Sequence, residues 1–189
     1  YAAIGAEVVS YPYGPMPTQP LGWFKKPIRR PQDFRRLRVR APGMAGEIYA
    51  GLGAAVSAVP PAELAEALRQ GKLDGAEFNN AASDRELGLP AAAKTWMLQS
   101  YHQSAEQFEI LFNRTKFEAL PSKMRAVIEN AADAASADMS WKAIDRYSAA
   151  HARLLAEQGL RVLKTPDAVL QRQLSAYDAA YLELAQRLS

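Results

Sequence analysis

The feature that most constrains this chain is one long helical pattern from Pro121 to Gln158, which no glycine or further proline interrupts. Gly159 is the natural point for the helix to end. At ~1.5 Å per residue a straight helix of this length would extend about 57 Å, more than the diameter of a small domain. It must therefore cross two lobes, break once, or pack against a second molecule. We expect its buried stripe to contain Met124, Val127, Ile128, Met139, Ile144, Tyr147, Leu154 and Leu155.

Ahead of that helix, short apolar runs alternate with helical segments, as in the strands expected at 54–59 and 73–78. The helix between these strands starts at Pro60 and ends at Gly71, which are typical start and stop residues. Strands that alternate with helices of about ten residues predict a parallel sheet of the α/β class. The remaining predicted elements are strands at 5–11, 37–40, 95–102, 106–113 and 160–165, a helix at 43–53, and a terminal helix from about Pro166.

The composition excludes several kinds of site. The chain has no cysteine, which rules out disulfides, thiolate metal sites and cysteine nucleophiles. Its apolar runs are far shorter than the ~20 residues of a membrane span, which predicts a soluble chain. Because the net charge is only +3, we interpret the basic stretch at 25–38 as a solvated face and expect no nucleic-acid partner. No phosphate loop, nucleophile elbow or HExxH motif occurs, so we predict no catalytic residues.

Arg40 is the first candidate binding residue. It ends the predicted strand 37–40 and directly precedes a turn and a helix N-terminus. Ligands of open α/β sheets collect at the carboxyl ends of the strands, where a guanidinium can hold a carboxylate through two parallel hydrogen bonds. The alternative is that Arg40 belongs to a solvated basic face with surface ion pairs.

Glu77 occupies the same kind of position near the end of the predicted strand 73–78. A carboxylate there is costly to bury unless it is paired or bound to a cation. With two histidines and no cysteine in the chain, a metal would need oxygen ligands, which favours Na⁺, Ca²⁺ or Mg²⁺ over zinc. The alternative is that Glu77 pairs with a neighbouring arginine.

Five strings occur in this order along the sequence: GWFKKPI, LRVRAPGMAGEIYAGLGA, ALRQGKLDGAEFNN, SDRELGL and EILFN. As a set they resemble successive landmarks of the solute-binding proteins of TRAP-type (tripartite ATP-independent periplasmic) transporters. The resemblance implies a periplasmic α/β protein with a two-lobed clamp, of which this chain lacks most of the N-terminal lobe. Residues 1–95 would form mainly the second ligand-binding lobe with hinge strands. Residues 96–189 would supply the return strands, the long lobe-spanning helix and the C-terminal helix.

Within this family, the subgroup that binds 2-oxo and 2-hydroxy acids has a metal ion between ligand and protein. Its ligands are a glutamine four residues before the GWF tryptophan and a glutamate–tryptophan pair after DGA. Gln19 stands four residues before Trp23, and Glu77 is followed by Phe78 in place of the tryptophan. The resemblance therefore implies a site for Ca²⁺ or Na⁺ made by Gln19, Glu77 and the Phe78 carbonyl oxygen.

The same resemblance assigns the ligand carboxylate to Arg40. We expect further ligand contacts from Phe78, Asn79 and Gln103, and extra neutral oxygens from Asn79 and Asn80. These two amides would suit a hydroxy acid such as lactate.

The implied function is capture of a small carboxylate such as lactate or pyruvate for the small and large membrane subunits of a TRAP permease, without enzymatic activity. A homodimer through the long helix is expected as well. One alternative is a sensor of the same fold that delivers its ligand to a signalling receptor. A more remote alternative is a metal-dependent enzyme with Glu77 as base, for which only His102 offers a second titratable group.

Overall fold

The structure, a computed structural model, describes residues 1–188 of the 189 in two compact units. The first unit consists of Tyr1–Pro17 and Ala105–Arg146, and the second of Thr18–Ser104 and the chain from Tyr147 onward. The division expected between segments 1–95 and 96–189 stays a prediction. Residue 189, the last of the second segment, lies outside the described residues.

Eight strands and seven α-helices are described within residues 1–188. The strands are β1 (Val8–Met16), β2 (Gly22–Phe24), β3 (Arg38–Arg40), β4 (Ala55–Ser57), β5 (Gly75–Ala76), β6 (Thr95–Leu98), β7 (Glu106–Asn113) and β8 (Arg161–Lys164). The helices are α1 (Gly43–Gly51), α2 (Leu64–Arg69), α3 (Ala81–Glu86), α4 (Leu89–Ala92), α5 (Arg114–Glu118), α6 (Ser122–Ala156) and α7 (Asp167–Leu188). Among these helices none is both long enough and apolar enough to traverse a bilayer.

The first unit is built on an antiparallel ribbon of β1 and β7. Its strands pair from Val8 with Asn113 to Tyr13 with Phe108, and the register then shifts before Met16. α5 follows β7 directly, and the Asn113 side chain caps it by accepting a hydrogen bond from the Lys116 backbone.

The second unit contains a six-stranded sheet in the order β4-β3-β5-β2-β6-β8. β3 runs parallel to β4 and β5, β6 runs parallel to β8, and β2 is antiparallel to both of its neighbours. The predicted α/β class is confirmed. The strand predicted at 73–78 is only two residues long. A Cβ added at Gly75 would lie 2.4 Å from the Phe24 ring, so a glycine is required where β5 approaches β2.

Trp23 and Phe24 of β2 supply the two faces of this sheet. Because successive side chains of a strand point to opposite faces, each residue joins a separate buried cluster. Phe24 packs with residues of α1 and α7, and Trp23 with residues of α2, α3, α4 and the end of α6. Trp23 also stacks on Trp96 of β6, with ring centroids 5.3 Å apart. The sheet is therefore covered by helices on both sides, as expected of a mainly parallel sheet.

The long helix predicted between residues 121 and 158 is confirmed as α6, which continues without a break for 35 residues. Its residues up to Arg146 belong to the first unit and those from Tyr147 to the second. A helix of this length was expected to cross two lobes, to break once or to pack against a second molecule. The unbroken α6 excludes the internal break.

The buried stripe predicted for α6 is largely wrong. Leu154 is fully buried, but Met124, Val127, Ile144 and Leu155 are each more than half exposed. The other buried positions of α6 are three alanines, Ala132, Ala143 and Ala150. Small side chains allow α6 to lie close to its neighbours, so hydrophobicity alone indicated the wrong face.

Candidate functional site

The sheet topology brings four chain segments to one edge of the second unit. β3 is parallel to β5, and β5 and β6 run in the same direction because each is antiparallel to β2, which lies between them. The carboxyl ends of β3, β5 and β6 therefore lie at the same edge of the sheet as the start of β2. Arg40 ends β3, Glu77 follows β5, Gln19 precedes β2, and His102 follows β6. All four side chains are buried.

Arg40 and Glu77 form the central contact of this edge. The Nη1 of Arg40 donates to the Glu77 Oε1 at 3.0 Å and to the Glu77 carbonyl oxygen at 2.9 Å. The Glu77 backbone N–H donates in turn to the Arg40 carbonyl at 3.1 Å, which continues the pairing of β3 and β5. The alternative that Arg40 lies on a solvated face is wrong, and the alternative that Glu77 pairs with a neighbouring arginine describes the geometry.

Gln19 and Glu77 both approach His102. The His102 Nε2 lies 3.3 Å from the Gln19 Oε1 and 3.6 Å from the Glu77 Oε2, so one nitrogen faces an oxygen of each predicted metal ligand. The Tyr49 ring packs edge-on against the imidazole at 5.6 Å. Burial, together with the nearby Glu77 charge, raises the pKa of Tyr49 well above its ordinary value, so its hydroxyl stays neutral.

Phe78 and Asn79 continue the chain beyond Glu77. The Arg40 guanidinium lies over the Phe78 ring at 5.6 Å, a cation–π contact that helps to hold the arginine. The Asn79 Oδ1 accepts a hydrogen bond from the Asn80 side chain at 2.9 Å. The expected extra oxygen from Asn80 is not available, because its Oδ1 caps α3 by accepting from the Ala82 and Ser83 backbones.

Gln103 contributes through its main chain. Its carbonyl oxygen accepts a hydrogen bond from the Gln19 backbone at 3.2 Å, which ties the segment after β6 to the segment before β2. The predicted site residues Gln19, Arg40, Glu77, Phe78, Asn79 and Gln103 are thus linked by contacts within one unit.

Asp84 is a site-adjacent residue that sequence reasoning missed. It is fully buried at the start of α3, where its Oδ2 accepts from the Trp23 indole at 2.8 Å and its Oδ1 from the Asn79 backbone at 3.1 Å. Burial raises the pKa of Asp84 to about 7 against the lowering effect of these hydrogen bonds. Asp84 therefore fastens the loop after Glu77 to the central strand.

In the sequence, His102 enters only as the second titratable group of an alternative metal-dependent enzyme whose base is Glu77. Its place beside Gln19 and Glu77 depends on pairing between β2 and β6, which no local pattern reveals. The available signal was its position at the end of the β-rich run 95–102. Within residues 1–188 no three His, Cys, Asp or Glu side chains form a metal-holding group.

Two surface cavities of the second unit lie elsewhere. One, of about 580 Å³, is lined partly by Arg85, Pro90 and Arg153, and the other, of about 380 Å³, partly by Arg35 and Arg172. Neither is lined by a residue predicted for the site.

Solved structures of similar fold include two TRAP periplasmic solute-binding proteins with bound pyruvate. A TRAP periplasmic solute-binding protein from Colwellia psychrerythraea, with bound calcium and pyruvate, superposes with a TM-score of 0.88 at 26% identity over 98% of this chain and 57% of that chain. One from Pseudoalteromonas atlantica, with bound sodium and pyruvate, gives a TM-score of 0.84 at 26% identity over 98% and 56%. The chain thus spans little more than half the length of these proteins.

A curated relative is the monocarboxylate 2-oxoacid-binding periplasmic protein of Nostoc sp. It is 29% identical over 148 residues, which cover 78% of this chain and 40% of the relative.

The model of the DctP family, bacterial extracellular solute-binding proteins of family 7, matches residues 5–187. The resemblance to TRAP solute-binding proteins seen in the sequence is thereby confirmed. This chain belongs to family 7 of the bacterial extracellular solute-binding proteins.

Proposed function

We propose that the protein containing this chain is the periplasmic solute-binding component of a TRAP transporter, and that it binds a small 2-oxo or 2-hydroxy monocarboxylate. The observation that carries this proposal is the convergence of Gln19, Arg40 and Glu77 on one buried sheet edge. Two solved relatives of the same fold bind pyruvate together with calcium or sodium, and a curated relative is named for 2-oxoacids. The family is one of solute-binding proteins, in agreement with the absence of enzymatic activity expected from the sequence.

Arg40 would hold the ligand carboxylate. Its Nη1 is used by Glu77 and its Nε donates to the Val59 carbonyl at 3.4 Å. A guanidinium has five N–H donors in a rigid fork, so further donors remain for a carboxylate. Phe78 below the guanidinium and the Glu77 carboxylate beside it fix the direction of that fork.

Glu77, Gln19 and the Phe78 carbonyl would hold the cation. The Oε1 of Glu77 accepts a hydrogen bond from Arg40, and its Oε2 lies towards the His102 Nε2. A carboxylate has about four acceptor positions, so Glu77 can keep its arginine and still coordinate an ion. An amide, a carboxylate and a carbonyl are hard oxygen donors of the type that Ca²⁺ and Na⁺ take. The bound cation would polarise the ligand and offset the negative charge of its carboxylate.

Either pyruvate or lactate fits this donor set. Of the two amides that favour lactate, that of Asn80 uses its oxygen to cap α3. The choice between the two acids therefore depends on Asn79 and on the parts of the protein outside this chain.

The proposed partners are the small and large TRAP permease subunits and a second copy of the protein. The dimer proposal is supported by large apolar side chains on the first-unit part of α6 that are more than half exposed: Met124, Val127, Trp141 and Ile144. Such side chains on one helix suit contact with another apolar surface.

Mass spectrometry of ligand released from purified full-length protein tests the proposed function. We expect a small monocarboxylate at close to one equivalent. A sugar, an amine or a peptide as the released ligand would contradict it. Neither the sensor nor the metal-dependent enzyme has an observation in its favour.

A further inference from the structure

Hydrogen bonds connect Gln173 of α7 to Ser100 and Ser100 to His102. Their donors and acceptors can be assigned in only one way, starting from Gln173. Gln173 is fully buried, and its Oε1 accepts from the Tyr101 backbone N–H at 2.7 Å. A backbone amide can only donate, so this contact fixes the orientation of the carboxamide. Its Nε2 therefore faces the Ser100 Oγ at 2.7 Å and donates to it.

Ser100 is the next link. Its Oγ accepts from the Gln173 Nε2 and also from the His102 backbone N–H at 3.4 Å. A hydroxyl has two acceptor positions and one donor, so both acceptor positions are taken and the O–H must donate. Its remaining partner is the His102 Nδ1, with which it forms a short hydrogen bond. The Nδ1 is therefore the acceptor and carries no proton.

A neutral imidazole with an unprotonated Nδ1 carries its hydrogen on Nε2. That nitrogen faces the Gln19 Oε1 at 3.3 Å and the Glu77 Oε2 at 3.6 Å, which are both acceptors. We propose that Gln173 and Ser100 act as positioning residues that hold His102 as an Nε2–H donor towards the two proposed cation ligands.

The tautomer of His102 influences which metal the proposed cation site can bind, an inference that rests on the proposed function. Histidine binds metals through an unprotonated nitrogen, and its other N–H then donates to an acceptor. At His102 the relay from Gln173 through Ser100 leaves the Nδ1 without such an acceptor. His102 is thereby prevented from offering the Nε2 lone pair. The cation site then keeps oxygen donors only, which disfavours zinc relative to calcium or sodium.

The test is the tautomer of His102, measured by long-range ¹H–¹⁵N correlation on ligand-free full-length protein. Signals lost in His102→Gln and kept in His151→Gln assign the ring. We expect the Nε2–H pattern in the wild type and an increased Nδ1–H population in Ser100→Ala and Gln173→Met. Ser104→Ala, an exposed serine of the same segment, is the control and should change nothing. An Nδ1–H ring in the wild type, or a tautomer that neither variant changes, would overturn the relay.

Calorimetry with zinc chloride and calcium chloride tests the choice of metal. Ser100→Ala should raise the zinc affinity relative to calcium by about tenfold, the usual scale for groups that orient a metal-binding histidine. An unchanged zinc-to-calcium ratio would contradict the metal argument. If the tautomer is as assigned but pyruvate does not bind, the proposed function fails and the relay remains.

Discussion

Arg40 and Glu77 form a buried ion pair, Nη1 to Oε1 at 3.0 Å, between the ends of two adjacent parallel strands. Each charge has been removed from water, so each depends on the other. The pair therefore combines two roles, because it holds this edge of the sheet together and orients the two side chains to which we assign ligand and cation.

The stability of the protein should depend on the presence of both charges of this ion pair. Arg40→Ala leaves the Glu77 carboxylate buried without the guanidinium that pairs with it. We expect a loss of ~3–5 kcal/mol in the free energy of unfolding. The double variant Arg40→Ala/Glu77→Gln removes that charge and should recover part of the loss. Urea denaturation of the full-length protein measures both.

Arg38→Ala is the matched control for this measurement. Arg38 is half exposed and pairs with Asp74 through its Nε at 2.8 Å and its Nη2 at 2.7 Å. Exposed pairs contribute about 0–1 kcal/mol. If Arg40→Ala cost no more than Arg38→Ala, the account of a mutually dependent buried pair would be wrong.

Asp84 should make stability fall as the pH rises towards neutrality. Its pKa is raised by burial from 3.8 to about 7, so between these values the folded state keeps a proton that the unfolded state has lost. Stability falls with pH wherever the folded state binds more protons, here with a slope of up to ~1.4 kcal/mol per pH unit. Asp84→Asn removes this dependence. Denaturant unfolding at a series of pH values should show wild-type stability falling relative to the variant, and a constant difference would refute the assignment.

Ligand affinity should depend on a cation. Glu77 and Gln19 supply oxygen donors with one formal charge, so we expect pyruvate affinity to fall about tenfold or more in chelator and sodium-free buffer, the scale on which metal sites lose function. Glu77→Gln should have a similar effect, and Asp74→Asn, on the exposed Arg38 pair, should not. Elemental analysis after dialysis identifies the ion. Affinity that is indifferent to every cation, with normal binding by Glu77→Gln, would show that Arg40 acts without a metal.

The full-length protein should sediment as a dimer that Trp141→Glu dissociates. Trp141 is 75% exposed on α6, and aromatic side chains of this kind are the usual anchors of interfaces. Lys142→Ala changes the neighbouring exposed residue and is the control. A monomer at all concentrations, or a dimer indifferent to Trp141→Glu, would exclude this helix as the interface.

Much of the fold could be predicted because its signals are local. β7 has the bounds 106–113 expected from a run of residues that favour strands, and α6 lies within the expected range. Arg40 and Glu77 could be found because each stands where a strand ends. The buried face of α6 could not be predicted, because its three alanines carry little hydrophobic signal and are buried by tertiary packing.

The rest of the site depends on contacts between distant parts of the chain. His102 lies 83 residues from Gln19 along the sequence, and Gln173 lies 73 residues from Ser100. Asp84 reaches Trp23 across 61 residues. Periodicity cannot reveal such pairs, since each requires the strand order of the sheet to be known.

Calorimetric titration of pyruvate into full-length wild type, Arg40→Ala and Arg38→Ala, each confirmed as folded by circular dichroism, tests the central claim most directly. The loss of a buried charge partner should weaken binding by Arg40→Ala about 100-fold or more. Arg38→Ala should bind like the wild type, since its guanidinium faces solvent and Asp74. Pyruvate binding by Arg40→Ala at wild-type affinity would contradict the account.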